Sequence, residues 1–123
     1  MQDDKEKFKK EFIKRLICFS IKIIKYSDKL KEQKVSFSII NQLIRSSTSI
    51  GANVVEAKSS HSKRDYLKYF EIALKSANET KYWIFIIQEA YLTNKKVTEE
   101  LLGEAKEIAN ILATSILTMK GRK

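Results

Sequence analysis

The sequence predicts an all-α fold, an antiparallel up-down-up-down four-helix bundle. Apolar residues recur at steps of three and four along four separate stretches, which is the period of an amphipathic helix. The chain of 123 residues has no proline and only three glycines, fewer turn-forming residues than most sheet-containing domains need. The stretches are joined by short loops, which favour antiparallel neighbours. We therefore expect a single domain over residues 1–123.

The first predicted helix covers about residues 5–32, and Phe12, Leu16 and Phe19 belong to its main apolar face. Four isoleucines widen this face to more than half of the helix circumference: Ile13, Ile17, Ile21 and Ile24. A surface helix of a monomeric bundle needs a narrower apolar face. Because contiguous exposed apolar surface usually marks a protein interface, the sequence predicts self-association.

The second and third predicted helices have recognisable starts. Ser36 is the predicted N-cap of a helix over about residues 36–58, with Val35 and Ile40 as a hydrophobic staple. Ile44 and Val55 extend its apolar face beyond the main stripe, as in the first helix. A serine-rich loop follows, and Ser62 with Asp65 forms the capping box of a helix over about residues 63–91.

The fourth predicted helix covers about residues 98–119. Thr98 is the predicted N-cap, and Val97 and Leu102 are the predicted staple on either side of it. Its apolar positions then follow the helical period as far as Met119.

A polar stripe runs beside the apolar face of the second helix, at steps of four, four and three: Arg45, Ser49, Asn53 and Glu56. The small residues around it allow a neighbouring helix to approach, and the stripe predicts a hydrogen-bonded seam with another helix or subunit. The alternative is a solvated stripe.

The third helix carries a second stripe, formed by Glu71, Lys75, Glu79 and Tyr82. Glu71 and Lys75 have the favourable order for an ion pair between residues four apart. The stripe is either a solvated, self-paired face or a contact that sets the choice of subunit partner.

Positive charge is concentrated near the start of the chain. The formal net charge is +9, and residues 1–34 hold eleven lysine and arginine residues against six acidic residues. Five lysines fall on one side of the first helix: Lys7, Lys14, Lys22, Lys25 and Lys29. Such a stripe can follow a phosphate backbone of RNA or DNA without reading bases. The alternative is a set of ordinary solvated lysines.

The residue inventory argues against enzymatic chemistry. A single histidine and a single cysteine exclude a two-histidine metal site, a CxxC pair and the paired Glu-x-x-His motifs of di-iron bundles. No glycine-rich phosphate loop is present, so we expect no catalytic residues, no metal and no cofactor. His61 is expected in a solvated turn and Cys18 in the core. No apolar run approaches the roughly 20 residues of a membrane span, so we expect a cytoplasmic protein.

Two signatures in the middle of the chain resemble a known family. The first is Gln42-Leu43-Ile44-Arg45-Ser46, followed by Ser49-Ile50-Gly51-Ala52-Asn53 and Glu56-Ala57. The second is Asp65-Tyr66-Leu67, followed by Ile72-Ala73-Leu74-Lys75-Ser76-Ala77-Asn78-Glu79-Thr80 and Tyr82-Trp83. Together they resemble the four-helix-bundle proteins encoded in intervening sequences of bacterial 23S ribosomal RNA genes.

The resemblance implies a homopentameric, barrel-like ring of four-helix subunits with a basic surface. The accessory protein of diversity-generating retroelements is a relative, and it binds nucleic acid or a reverse transcriptase. The sequence therefore predicts an accessory nucleic-acid-binding protein, with RNA, DNA and a reverse transcriptase as candidate partners. The alternative is a protein-interaction scaffold with no nucleic-acid ligand.

Overall fold

The computed structural model describes residues 2–121, which form four α-helices. They are α1 (Gln2–Glu32), α2 (Phe37–Lys58), α3 (Lys63–Ala90) and α4 (Lys95–Met119). At 1.5 Å per residue they are about 33 to 46 Å long. No strand occurs among residues 2–121.

The order of packing around the bundle follows the order of the chain. α2 packs against α1 and α3, and α4 packs mainly against α3 and much less against α1. Tyr26 near the end of α1 shares a hydrogen bond with Thr98 near the start of α4. Ser46 and Thr80 connect the first half of α2 to the second half of α3. Neighbouring helices therefore run antiparallel, and the predicted all-α bundle is confirmed.

The core lies along the axis of the bundle and draws apolar residues from every helix. On α1 the buried positions recur at steps of three and four, as the period predicts: Phe12, Leu16, Phe19, Ile23, Tyr26 and Leu30. α2, α3 and α4 add mostly aliphatic residues and alanines: Ile40, Leu43, Ile50, Val54, Ala57, Ala73, Ala77, Ile84, Ile87, Leu101, Ala105, Ile108 and Leu112. The alanines bring the helix backbones close together where α3 and α4 pack.

α1 ends in a backbone motif that usually contains glycine. The N–H of Val35 donates to the carbonyl of Leu30 and the N–H of Lys34 donates to that of Lys31, both at 3.1 Å. These two bonds form a Schellman motif, in which the residue at the position of Lys34 takes a left-handed conformation. Lys34 has a φ of 62° accordingly. Val35 and Leu30 are both buried, as the hydrophobic contact of this motif requires.

The predicted cap residues of α2 and α3 are at the helix starts. Ser62 accepts a hydrogen bond from the N–H of Asp65 at 3.1 Å, as the capping box predicts. Ser36 is also an N-cap residue, but its side chain makes no capping bond. Its backbone N–H instead donates to the Tyr91 hydroxyl at 3.2 Å, which connects the start of α2 to the end of α3.

The predicted start of α4 at Thr98 is wrong. Asn94 is the N-cap residue, and its side chain accepts from the N–H of Val97 at 3.1 Å. Thr98 lies in the first turn and is fully buried, with its hydroxyl 2.7 Å from that of Tyr26. Thr98 precedes Leu101 on the apolar face by three residues, and this spacing places it in the core. Val97 is correspondingly half-exposed and does not act as a staple.

Two expectations for α1 also need correction. Cys18 is exposed, although its apolar neighbours suggested a core position. Burial in a helix depends on the angular position of a residue, and Cys18 lies well outside the stripe of Leu16, Phe19 and Ile23. The helix also begins earlier than residue 5, at Gln2, with Asp3 and Asp4 in the first turn. Carboxylates there are stabilised by the helix dipole.

Candidate nucleic-acid and oligomer interfaces

The solvent-exposed half of α1 is divided lengthwise into an apolar side and a basic side. Ile17 and Ile21 lie on the side next to α2, where they share a groove with Val55. Arg15 reaches in the other direction, to carboxylates of α4. The five predicted lysines follow the side that leads towards α4. One helix therefore presents two chemically different surfaces.

The five lysines, which we call the α1 lysine row, are all exposed: Lys7, Lys14, Lys22, Lys25 and Lys29. Within residues 3–121 none of them forms an ion pair. The row extends over more than 20 residues of helix, which corresponds to about 33 Å. The lysines lie along one side of α1, where the exposed Glu11 falls between Lys7 and Lys14, and the surplus of positive charge suits contact with an extended polyanion.

Arg15, which no sequence pattern singles out, joins α1 to α4 through ion pairs. Its Nε and one Nη contact the two carboxylate oxygens of Glu104, both at 2.7 Å, and that Nη also lies 2.5 Å from Glu107. The hydrogen bonds that Arg15 donates to Glu104, and then to Glu107, raise the pKa of Arg15 above its usual value. The spacing of the two glutamates places them on one face of α4, but no sequence signal identifies Arg15 as their partner.

This cluster has two consequences for the surface beside it. It ties α1 to α4 where these helices pack least extensively. It also neutralises part of the acidic side of α4, so that these two carboxylates repel an approaching phosphate less than free ones would. Arg15 and the two glutamates therefore form a partly neutralised cluster that is separate from the α1 lysine row.

An exposed apolar surface follows the junction of α1 and α2. The exposed fractions of Ile17, Ile21, Ile24 and Val55 are 53, 48, 44 and 46%. Ile17, Ile21 and Val55 line a groove of about 410 Å³ together with Gly51. A Cβ atom at Gly51 would lie 3.4 Å from the Cβ of Leu16, at the short end of ordinary van der Waals contact, so α1 and α2 pack closely here. Ile13 and Ile44, predicted to be part of the excess apolar surface, are half-buried.

Part of the predicted polar stripe of α2 takes part in a hydrogen-bonded junction with α3. The hydroxyl of Ser76 donates to that of Ser49 at 3.0 Å, and Asn53 donates from its amide to the same Ser49 oxygen at 3.0 Å. Ser46 and Thr80 lie deeper, with their hydroxyls 3.0 Å apart. Ser46, Ser76 and Thr80 were not predicted as members, because small hydroxyl residues in a helix give no signal of their tertiary partner.

The charged members of the predicted stripes lie outside this junction. Arg45 and Glu79 line one open cleft between α2 and α3 together with Ser49, while Glu56 points to solvent. Glu79 accepts a hydrogen bond from the indole N–H of Trp83 at 3.1 Å. Tyr82 is 56% exposed and packs edge-on against Trp83. Among residues 3–121, Arg45, Glu56 and Glu79 form no salt bridge.

The predicted pair between Glu71 and Lys75 does not form. Glu71 instead contacts Lys120 at the end of α4, with 3.1 Å between the carboxylate oxygen and Nζ. Lys75 is exposed. A partner from another helix thus replaces the local one, because the start of α3 lies beside the end of α4.

His61 and the potential metal ligands are the remaining groups with distinctive chemistry. His61 is exposed in the loop between α2 and α3, as predicted. Among the described residues no three histidine, cysteine or acidic side chains are grouped to hold a metal ion. None of the four helices, over the part that the structure describes, is long and apolar enough to cross a membrane.

Comparison with known proteins agrees with the resemblance found in the sequence. Residues 9–114 match the profile of a family described as 23S rRNA-intervening sequence protein. A similar solved structure is a protein of unknown function from the S23 ribosomal protein family of Bacteroides thetaiotaomicron. It has 33% sequence identity and a TM-score of 0.78, and the match covers 85% of this chain and 97% of that chain. No curated protein sequence matches. Because the family match covers most of its length, the chain belongs to the 23S rRNA-intervening sequence protein family.

Proposed function

We propose that this protein is a non-enzymatic, self-assembling accessory protein that binds nucleic acid through the α1 lysine row. The observation that supports this proposal is the row itself, five exposed lysines without ion pairs within residues 3–121. The net charge of +9 adds a long-range attraction for polyanions. The row consists of lysines alone and offers no aromatic ring on which a base could stack. We therefore expect it to contact phosphates rather than unstacked bases.

Salt dependence tests this mechanism. Each phosphate contact releases counterions, so the slope of log K against log salt becomes shallower by about 0.9 for each contact removed from duplex DNA. Replacing the five lysines of the row by glutamine should weaken binding to duplex DNA and structured RNA and flatten the slope. The matched control replaces five exposed lysines on other helices: Lys63, Lys68, Lys95, Lys96 and Lys106.

The two variants have the same net charge, so they separate a specific surface from overall charge. If both lose affinity equally, the row has no special role. If the wild-type protein binds neither nucleic acid at low ionic strength, the proposal fails altogether.

We further propose that the apolar surface at the junction of α1 and α2 is covered by another copy of the chain. Ile17, Ile21, Ile24 and Val55 form an apolar strip in which each side chain is about half exposed, and exposed apolar surface of this kind supports an interface between copies. Our preferred assembly is a homopentamer, in keeping with the family resemblance. Five copies would carry a formal charge of +45, five times the +9 of one chain.

Sedimentation measures this assembly directly. Ile21→Lys places a charge in the strip and should shift the protein towards monomer at micromolar concentration, because burying an unpaired charge in an interface is costly. Leu117→Lys is the control, since Leu117 is exposed to a similar degree on α4. A monomeric wild-type protein, or equal dissociation of both variants, would contradict the proposal.

The second candidate function is a protein-interaction scaffold without a nucleic-acid ligand. The observation that favours it is a separate exposed apolar pair on α3, Tyr82 and Phe85, at 56 and 51% exposure. A reverse transcriptase or another host protein would then be the partner. Recovery of the same partner before and after nuclease treatment, together with its loss in Phe85→Ser, would favour the scaffold.

A further inference from the structure

A cleft opens at the end of the bundle where α1 and α3 begin and α2 and α4 end. Its volume is about 480 Å³, and all four helices contribute to its walls. Clefts of this size are typical of small-molecule sites, which combine a mostly apolar lining with a few polar groups. The cleft lies next to the narrow contact between α1 and α4, and it is open to solvent.

Two stacked aromatic pairs line the cleft. Phe8 and Phe12 of α1 stack with their ring centroids 6.0 Å apart and an angle of 13° between the rings. Tyr66 and Phe70 of α3 stack at 5.0 Å and 19°. Phe12 and Phe70 are buried, whereas Phe8 is 53% exposed at the mouth. The cleft therefore offers planar apolar walls that extend from the core to the surface.

The cleft has a basic rim. Lys5, Lys9 and Lys58 line it, against a single carboxylate from Asp4. The Nζ of Lys9 lies 5.3 Å from the centroid of the Tyr66 ring, a distance at which the cation and the ring attract each other. None of the three lysines forms an ion pair within residues 3–121. A shallower cleft continues past Lys9 and Lys58 to Lys63 and His61.

We propose that this cleft binds an amphipathic organic anion, with its apolar body between the aromatic pairs and its charged head at Lys5, Lys9 and Lys58. Burial of the body supplies most of the affinity, since the walls are apolar. The lysines select an anionic head over a neutral or cationic one. The site shares no residue with the α1 lysine row, and it stands whether or not that row binds nucleic acid.

Two related dyes test the proposal on the full-length protein. The probe is 1-anilinonaphthalene-8-sulfonate, an aromatic anion, and N-phenyl-1-naphthylamine is the same molecule without its sulfonate. The anionic dye should bind saturably and more tightly than the neutral one. The double variant Lys9→Gln with Lys58→Gln should weaken the anionic dye about five- to tenfold, as partly screened charge pairs do, and change the neutral dye less than about twofold.

Further variants locate the site. Thr114 lines the cleft from α4 at an exposed position, so Thr114→Trp should block the cleft and abolish binding of both dyes without disturbing the core. Asn110→Trp, one turn earlier on the same helix, is the control. Dodecanoate should displace the bound dye if aliphatic anions enter as well as aromatic ones, and its failure to do so restricts the site to aromatic bodies.

Three results would overturn the proposal. The first is no saturable binding of the anionic dye to the wild-type protein. The second is equal affinity for the two dyes, with no effect of the lysine variants. The third is binding that survives Thr114→Trp but is lost in Ile21→Lys, which would place the dye in the groove between α1 and α2. Circular dichroism of each variant confirms that the helices are retained.

Discussion

At the scale of single residues, Lys34 is the position where the sequence and the backbone disagree most clearly. It is the only non-glycine residue with a positive φ among residues 2–121. A side chain in this conformation is strained by contact between its Cβ and the following carbonyl. Because the Schellman motif at the end of α1 needs that conformation, the fold retains the strain.

We expect Lys34→Gly to stabilise the protein by about 0.5–1 kcal/mol, since relief of strain exceeds the greater freedom of glycine in the unfolded chain. Urea unfolding followed by circular dichroism measures the change. The control is Gln33→Gly, one residue earlier, where φ is not positive and glycine should destabilise. A loss of stability in Lys34→Gly would show that the strain is negligible.

The two glycines inside helices are expected to respond differently to alanine. Gly103 lies in α4 with nothing within 4 Å of the position of a Cβ atom. Gly103→Ala should stabilise the protein by about 0.5–1 kcal/mol, because alanine favours the helix and no neighbour must move. Gly51→Ala should gain less, since its Cβ would meet that of Leu16 at 3.4 Å. Equal increases in the thermal midpoint of the two variants would show that α1 and α2 are not in close contact at Gly51.

At the scale of helices, one cluster of charges contributes to the contact between α1 and α4. Arg15 contacts both carboxylate oxygens of Glu104. The two side chains are 35 and 27% exposed, so the pair is partly screened by solvent. Arginine–carboxylate contacts through two hydrogen bonds are the surface ion pairs whose contribution to stability is large enough to measure. The cluster matters here because apolar packing between these two helices is limited.

A double-mutant cycle on Arg15→Gln and Glu104→Gln should give a coupling energy of about 0.5–1 kcal/mol at low salt, and less at 1 M salt because the pair is partly screened. Lys106→Gln is the single-site control, an exposed lysine on α4 without an ion pair in residues 3–121. A coupling energy near zero at low salt would mean that the ion pair adds nothing to the contact between α1 and α4.

The helices were predictable because the apolar residues that recur at steps of three and four are largely the ones buried in the core. Errors arose where two signals competed. Threonine is a common N-cap residue, but Thr98 also has the spacing of a core residue. In the structure it is buried in the core and does not cap the helix. Asn94, an equally good cap residue, is the observed N-cap although the sequence predicts it in the loop before the helix. Cys18 has apolar neighbours in the sequence, but its angular position on α1 places it on the exposed side of the helix.

At the scale of the whole molecule, sequence reasoning found the surfaces of single helices but not the features that several helices build together. The α1 lysine row and the exposed isoleucines follow from one helical wheel, and the structure places them on the surface as expected. The bond from Arg15 to Glu104 and the aromatic cleft at the bundle end each join residues far apart in sequence. Their partners are set by helix pairing, which no local pattern encodes.

The limited packing between α1 and α4 also bears on how the molecule opens. α2 and α3 share the most extensive contact, and α1 is held largely from one side, by α2. Thermal fluctuations should therefore separate α1 from α4 more often than they separate α2 from α3, so amide protons would exchange with solvent fastest along α1 and slowest in the middle of α2 and α3. The helix that carries the lysines would then be the part of the bundle best able to adjust to the shape of whatever it contacts.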